Sequence, residues 1–164
     1  MGIKVKVSST KAGKCFGSFL EVCKKEPVHI THYRRQVATL LSASDYERFL
    51  DVDNRFWGEL AVLAEKVGFP DDVIVRQWLM KKTGYALNLT ISKVALEVLE
   101  TIPTIRCENI LNDLLDAPKD PTRRIKKLQG YKFRRCDFGK YRVIFDVVNG
   151  TIQIFYVGEQ GEEK

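Results

Sequence analysis

Apolar and polar residues alternate at period two over IKVKV, residues 3–7, which predicts a short strand holding its lysines outward. The next stretch, SSTKAGKCFGSFLEVCKK, places Ala12, Cys15, Phe16, Phe19, Leu20 and Cys23 at helical spacing behind Ser8 or Ser9. It predicts one amphipathic helix with a serine N-cap. VHITHY and VATLL flank the polar RRQ, predicting two strands joined by a tight basic turn. Ser44 and Glu47 have the spacing of a capping box, with Ser42 a competing cap, and they open a helix expected to turn Tyr46, Phe49 and Leu50 inward.

From Phe56 the period stays helical. Phe56, Trp57, Leu60, Ala61, Leu63, Ala64 and Val67 form a broad apolar stripe that Gly68 and Pro70 end. A shorter helix follows, with Asp71 and Asp72 at its start and Lys81, Lys82 and Gly84 at its end, the arrangement the helix dipole favours. These two helices carry more apolar surface than either can bury alone, so they require a partner surface. YALNLTI, residues 85–91, alternates as a strand; Ser92 opens a helix that Pro103 breaks, and Ile105, Ile110, Leu111, Leu114 and Leu115 continue on a second. Pro118 and Pro121 mark a loop before three strands, at about 131–136, 140–148 and 151–157, the last two joined by an Asn149-Gly150 turn.

The pattern predicts an α+β chain in three parts: residues 1–52, a small sheet with helices; 53–84, an amphipathic helical linker; and 85–164, a helical hairpin packed on an antiparallel sheet. Composition adds bounds. Hydrophobic residues make up 45% and no apolar run is long enough to cross a bilayer, so a soluble protein without a membrane role is expected. The first ten residues lack the apolar segment of a secretory signal, which places the expected location in the cytoplasm. Cys15, Cys23, Cys107 and Cys136 contain no CxxC pair, and His29 and His32 have no third ligand near in sequence. Neither a metal nor a cofactor is expected.

Net charge is +6, and its distribution says more than its total. Residues 1–52 carry nine Lys and Arg against five Asp and Glu, residues 53–84 five against five, and residues 119–142 ten against two. Two separate basic regions suit two separate polyanion contacts. A turn centred on Phe138 would set Arg134 opposite Arg142 and Lys132 opposite Ile144. Three cations would then share one open face, with Phe133, Val143, Phe145, Val147, Ile152, Ile154 and Tyr156 on the other. Either an anion such as phosphate sits among these cations or their side chains splay into water.

KKLQGYKFRRCDFGKYRVIFDVVNGTIQIFYVG, with SKVALEVLETIP and Asp120-Pro121 before it, resembles the RelE/ParE toxin superfamily over residues 85–158. VSSTKAGKCFGSFLEVCKKEPVHITHYRRQVATLLSASDYERFL resembles the Phd/YefM antitoxin family over residues 5–50. Together they imply a toxin-antitoxin fusion. The first resemblance implies attack of an RNA 2′-hydroxyl on the neighbouring phosphate, with mRNA on the ribosome as partner and basic side chains orienting the phosphate and moving protons. Lys132, Arg134 and Arg142 match the first basic positions of that set, with Lys126, Lys127, Arg135 and Lys140 as further RNA contacts. The later basic and tyrosine positions do not match: Glu159, Gln160, Gly161, Glu162, Glu163 and Lys164 follow Gly158, which implies weak or absent cleavage.

The second resemblance implies a homodimer or higher homo-oligomer binding operator DNA through Lys4, Lys6, Lys11, Lys14, Arg34 and Arg35, largely by phosphate contacts. It also implies a neutralising segment, for which Phe56, Trp57, Leu60 and Trp78 are the candidates. Covalent linkage would make neutralisation in cis, or across a dimer, the resting state. Two other activities fit the same residues: a latent ribosome-dependent endoribonuclease released by proteolysis, and a ParE-like inhibitor of DNA gyrase.

Overall fold

The computed structural model describes residues 5–117 and 125–161, and the chain divides into two compact units, Met1–Val52 and Asp53–Lys164. Lys4, the loop at Pro118 and Pro121, the basic residues Lys119, Arg123 and Arg124, and Glu162, Glu163 and Lys164 lie outside the described residues. Among those described, no helix is long and apolar enough to cross a membrane.

The first unit contains β1 (Val5–Ser8), α1 (Ser9–Lys14), α2 (Phe16–Cys23), β2 (Val28–His32), β3 (Arg35–Leu40) and the start of α3 (Ala43–Val67). The strands lie in the order β1-β2-β3, with β1 parallel to β2 and β2 antiparallel to β3. The single helix expected after Ser8 is two. Ser8 caps α1, accepting from the Lys11 amide, and the chain leaves helical geometry at Cys15, where φ is −122° and ψ 32°. The break turns the stripe: Ala12 and Cys23 join Val7 and Val28 in the core, while Cys15, Phe16 and Leu20 stay exposed. Ser42, not Ser44, caps α3, taking the Asp45 amide at 3.1 Å. Tyr46 and Phe49, expected inward, are exposed, because α1 and α2 already cover the apolar sheet face.

The second unit adds α4 (Asp72–Thr83), β4 (Leu89–Ile91), α5 (Lys93–Thr101), α6 (Thr104–Asp116), β5 (Lys126–Lys127), β6 (Arg134–Phe138), β7 (Tyr141–Val148) and β8 (Thr151–Glu159) to the rest of α3. Its caps follow the sequence: Asp71 accepts from the Val73 amide, Gly84 ends α4 at φ 79°, and Ser92 accepts from the Ala95 amide. The sheet order is β4-β8-β7-β6-β5. It is mixed rather than wholly antiparallel, since β4 runs parallel to β8, and the expected strand at 85–91 is reduced to three residues.

The decisive departure is register. The β6–β7 turn is Gly139-Lys140, not Phe138, so Arg135 faces Ile144, Asp137 faces Arg142, and Arg134 faces Phe145. Gly139 has φ 63°, the requirement at the first central position of a two-residue type II′ turn. Moving the turn from Phe138 to Gly139-Lys140 displaces the pairing by an odd number of residues, and in a strand that exchanges the two faces. Cys136, Phe138, Tyr141, Val143, Phe145, Ile152 and Ile154 therefore form one core with α4, α5 and α6. Phe133, Ile144 and Phe155, on the opposite face, form a second core with Leu128 and with Trp57, Ala61 and Ala64 of α3. The face expected to be open is covered by a helix.

Cys107 of α6 lies in the first of these cores. Burial pushes its thiol from the ordinary 9.0 up to about 11, with the charge of Lys82 acting the other way. A raised pKa means the folded chain keeps a proton that the unfolded chain releases. The contribution is complete below pH 9 and is lost as pH rises through about 11. Chemical denaturation between those values is expected to show falling stability that Cys107→Ala flattens; an equal slope in the variant would assign the decline to other groups.

Candidate functional site

The covered face of the second unit holds a buried ionic cluster. Asp53, Trp57, Ala61 and Ala64 recur at near-helical spacing along the buried side of α3, which sets an acid in line with apolar residues. The two arginines it meets are equally buried, Arg135 at 5% and Arg142 at 7% exposure. Arg142 donates from Nη1 to Asp53 Oδ1 at 2.8 Å and from Nε to Asp137 Oδ1 at 2.7 Å. Arg135 donates from Nη1 to Asp53 Oδ2, and its Nε has no hydrogen-bond partner. Trp57 Nε1 donates to Asp53 Oδ1 at 3.1 Å, and the Arg142 guanidinium lies 5.1 Å from the Trp57 ring centroid. Burial alone would pull the Arg142 pKa down; hydrogen bonding to Asp137 and the charges of Asp137 and Asp53 outweigh it, and the net shift is upward.

Two glycines make the close approach of α3 feasible. A Cβ on Gly158 of β8 would stand 3.0 Å from both the Trp57 and Tyr156 rings, so the indole would have to give by a few tenths of an ångström to accommodate it. Gly58, inside α3, is met by the Tyr131 ring, which a Cβ would strike at 2.3 Å. A mid-helix glycine costs about 1 kcal/mol against alanine, and here it lets the Tyr131 ring lie directly against the helix. Further along α3, Glu65 pairs with Lys132, whose Nζ also lies 5.5 Å from the Phe133 ring centroid. One helix thus supplies a carboxylate to each of three basic groups on this face.

The expected cation set is therefore redistributed. Lys132 and Arg142 lie on the α3 face, whereas Arg134 is on the helical-hairpin face, 3.7 Å from Asp146. Arg135, expected only as an outer RNA contact, is the second buried arginine. Lys126 and Lys127 form the exposed edge strand β5. Lys140 pairs with Glu159 at 2.5 Å, and that hydrogen bond raises its pKa. Phe56, Trp57 and Leu60 belong to the α3 cluster. Trp78, on α4, packs on the other core with α5 and α6. Asp53 and Glu65 were missed in the sequence; an acid in register with Trp57, Ala61 and Ala64 is the signal that could have found the first.

No protein-family model and no curated protein sequence matches this chain. Among solved structures, it is similar to the RelB-RelE antitoxin-toxin complex from Methanococcus jannaschii, with 21% identity, 43% of this chain and 88% of that one covered, and a TM-score of 0.36. It is also similar to the RelBE2 toxin-antitoxin complex from Mycobacterium tuberculosis, with 14% identity, coverage of 44% and 96%, and the same TM-score of 0.36. Less than half of this chain is covered in either case, and a likeness of this extent assigns neither family nor function.

The first unit presents a basic surface of its own. Lys6, Lys11, Lys14, Arg34 and Arg35 are all exposed, and among the described residues no ion pair involves them. Lys6 pairs in register with His29, on the sheet face away from the core. Ser9 Oγ and His32 Nδ1 are 2.8 Å apart, joining the start of α1, the helix that bears Lys11 and Lys14, to the end of β2, beside the Tyr33-Arg34 turn and Arg35 of β3. That turn is unusual in chemistry: Tyr33 and Arg34 have φ of 47° and 65°, positions that Asn-Gly fills with less strain. Tyr33 is also 88% exposed.

Proposed function

We propose that this chain is a self-neutralised toxin-antitoxin fusion: the first unit binds DNA through its basic surface, and α3 of the second unit holds a polyanion-binding sheet face closed in cis. The observation that carries this reading is the Asp53 carboxylate between Arg135 and Arg142. Two guanidiniums gathered on a sheet face need an anion. Here the anion is a side chain of the covering helix, and Trp57 and Glu65 of the same helix close the rest. In this state neither arginine can reach a phosphate. With Trp78 on the opposite core, this reading takes Asp53–Glu65 as the neutralising segment and counts α4 in the fold being neutralised.

Opening that face tests the reading without requiring cleavage. Asp53→Lys with Trp57→Glu places a like charge against the arginines and a carboxylate in the Gly158 niche, so α3 should leave the sheet. Single-stranded RNA is expected to bind the full-length variant at least tenfold more tightly than the unaltered chain, with a steeper salt dependence. Circular dichroism controls for folding. A folded variant that binds RNA no better than the parent would overturn neutralisation by α3. Growth arrest on its expression would add catalysis or gyrase inhibition to binding, and message cleavage would separate those two.

A further inference from the structure

We propose that His32 is a phosphate contact between the start of α1 and the Tyr33-Arg34 turn, and that it binds as the imidazolium; this rests on the DNA contact proposed above. The geometry supports it in three ways. His32 ends β2 and is exposed. Its Nδ1 meets Ser9 Oγ at 2.8 Å, which fixes the ring and leaves Nε2 as its other hydrogen-bonding atom. Tyr33 packs against the ring, centroids 4.3 Å apart in an edge arrangement, a second restraint on its orientation. The hairpin requires left-handed backbone at both Tyr33 and Arg34, and placing two large exposed side chains there, instead of Asn-Gly, is a choice that the turn geometry alone does not favour.

The groups around His32 give the proton its consequence. Arg35 pairs with it in register on β3, Arg34 and Tyr33 follow it in the turn, and Ser9 meets it from α1, which also bears Lys11 and Lys14. On α2, Glu21 is bonded to Lys24 of the same segment. Protonating His32 therefore adds a cation beside Arg35 and Arg34, and a phosphate in contact offsets that repulsion. Binding and protonation must then favour each other. His29, the other histidine, bonds Thr39 Oγ1 at 3.3 Å and alternates to the other face of β2, so it serves as an internal control.

The test is fluorescence anisotropy of the full-length chain with a labelled duplex from upstream of its own gene, as salt series at pH 6 and pH 8. Compared with pH 8, affinity is expected to be several-fold higher at pH 6, because protonation and binding favour each other. The salt slope should be steeper there by up to about 0.9, one phosphate contact. His32→Gln keeps a hydrogen-bonding group without the charge and should abolish both differences; His29→Gln should preserve them. Binding that is independent of pH, or a pH effect surviving in His32→Gln, overturns the role of His32. If that binding is still salt-sensitive and weakened by Arg34→Ala with Arg35→Ala, the DNA reading stands alone; absence of binding at both pH values removes the two together.

Discussion

Asp53→Ala is expected to lower the stability of the second unit by about 3–5 kcal/mol, the loss typical of removing one partner from a buried ion pair. The magnitude follows from what remains rather than from what the pair contributes. Arg135 would keep neither its carboxylate partner nor access to water, being 5% exposed with its Nε already unsatisfied. Arg142 would keep Asp137 but lose the Asp53 carboxylate. Urea unfolding monitored by tryptophan fluorescence measures the loss, because Trp57 lies fully inside this cluster. Adding Arg135→Met and Arg142→Met to Asp53→Ala should recover most of it, since an apolar replacement of a whole buried ionic group is often neutral or better. A loss below about 1 kcal/mol for Asp53→Ala, the range of exposed pairs, would mean that α3 does not seal this face in solution.

Trp57→Ala carries a comparable expected cost, about 3–5 kcal/mol, for a different reason. The indole is fully buried, lies in the niche above Gly158, and makes edge contacts with Phe56 at 5.3 Å and Tyr156 at 6.0 Å between centroids. Its removal leaves a cavity and strips Asp53 of one donor. Because the two side chains touch the same arginine, their effects should not add: Asp53→Ala with Trp57→Ala is expected to cost less than the sum by at least about 0.5 kcal/mol. Trp57→Phe separates the contributions, keeping most of the ring and losing the N–H, with roughly 1 kcal/mol expected from the lost bond. Additive costs would show that the indole and the carboxylate anchor α3 independently.

The same two substitutions bear on function as well as stability. If the α3 face is the closed site, each should raise RNA affinity in proportion to how far it loosens the helix, whereas substitutions in the opposite core, such as Leu99→Ala or Ile110→Val, should destabilise without raising it. That contrast distinguishes release of a specific face from general unfolding, which would increase non-specific binding in both groups.

The sequence by itself determined most of the local elements and several of their boundaries. Serine and aspartate caps, the Pro103 break, the glycine after Thr83 and the Asn149-Gly150 turn are short-range signals, decided by groups within a few residues of one another, and helices and strands formed at each. It also located the basic regions, since charge counts need no geometry. What it left undecided was which side chains face each other. A turn placed at Phe138 instead of Gly139-Lys140 sends Arg134 to the wrong face and hides Arg135, because strand register couples every side chain to one turn. The helical stripe at 56–67 announced a partner surface without naming it, and nothing near Asp53 in the sequence set that acid apart from its neighbours. Only the packing of α3 over Phe133, Ile144 and Phe155 made that acid the counter-ion of two arginines, since the cost of burying a charge depends on what is buried beside it, and those neighbours lie more than eighty residues away along the chain.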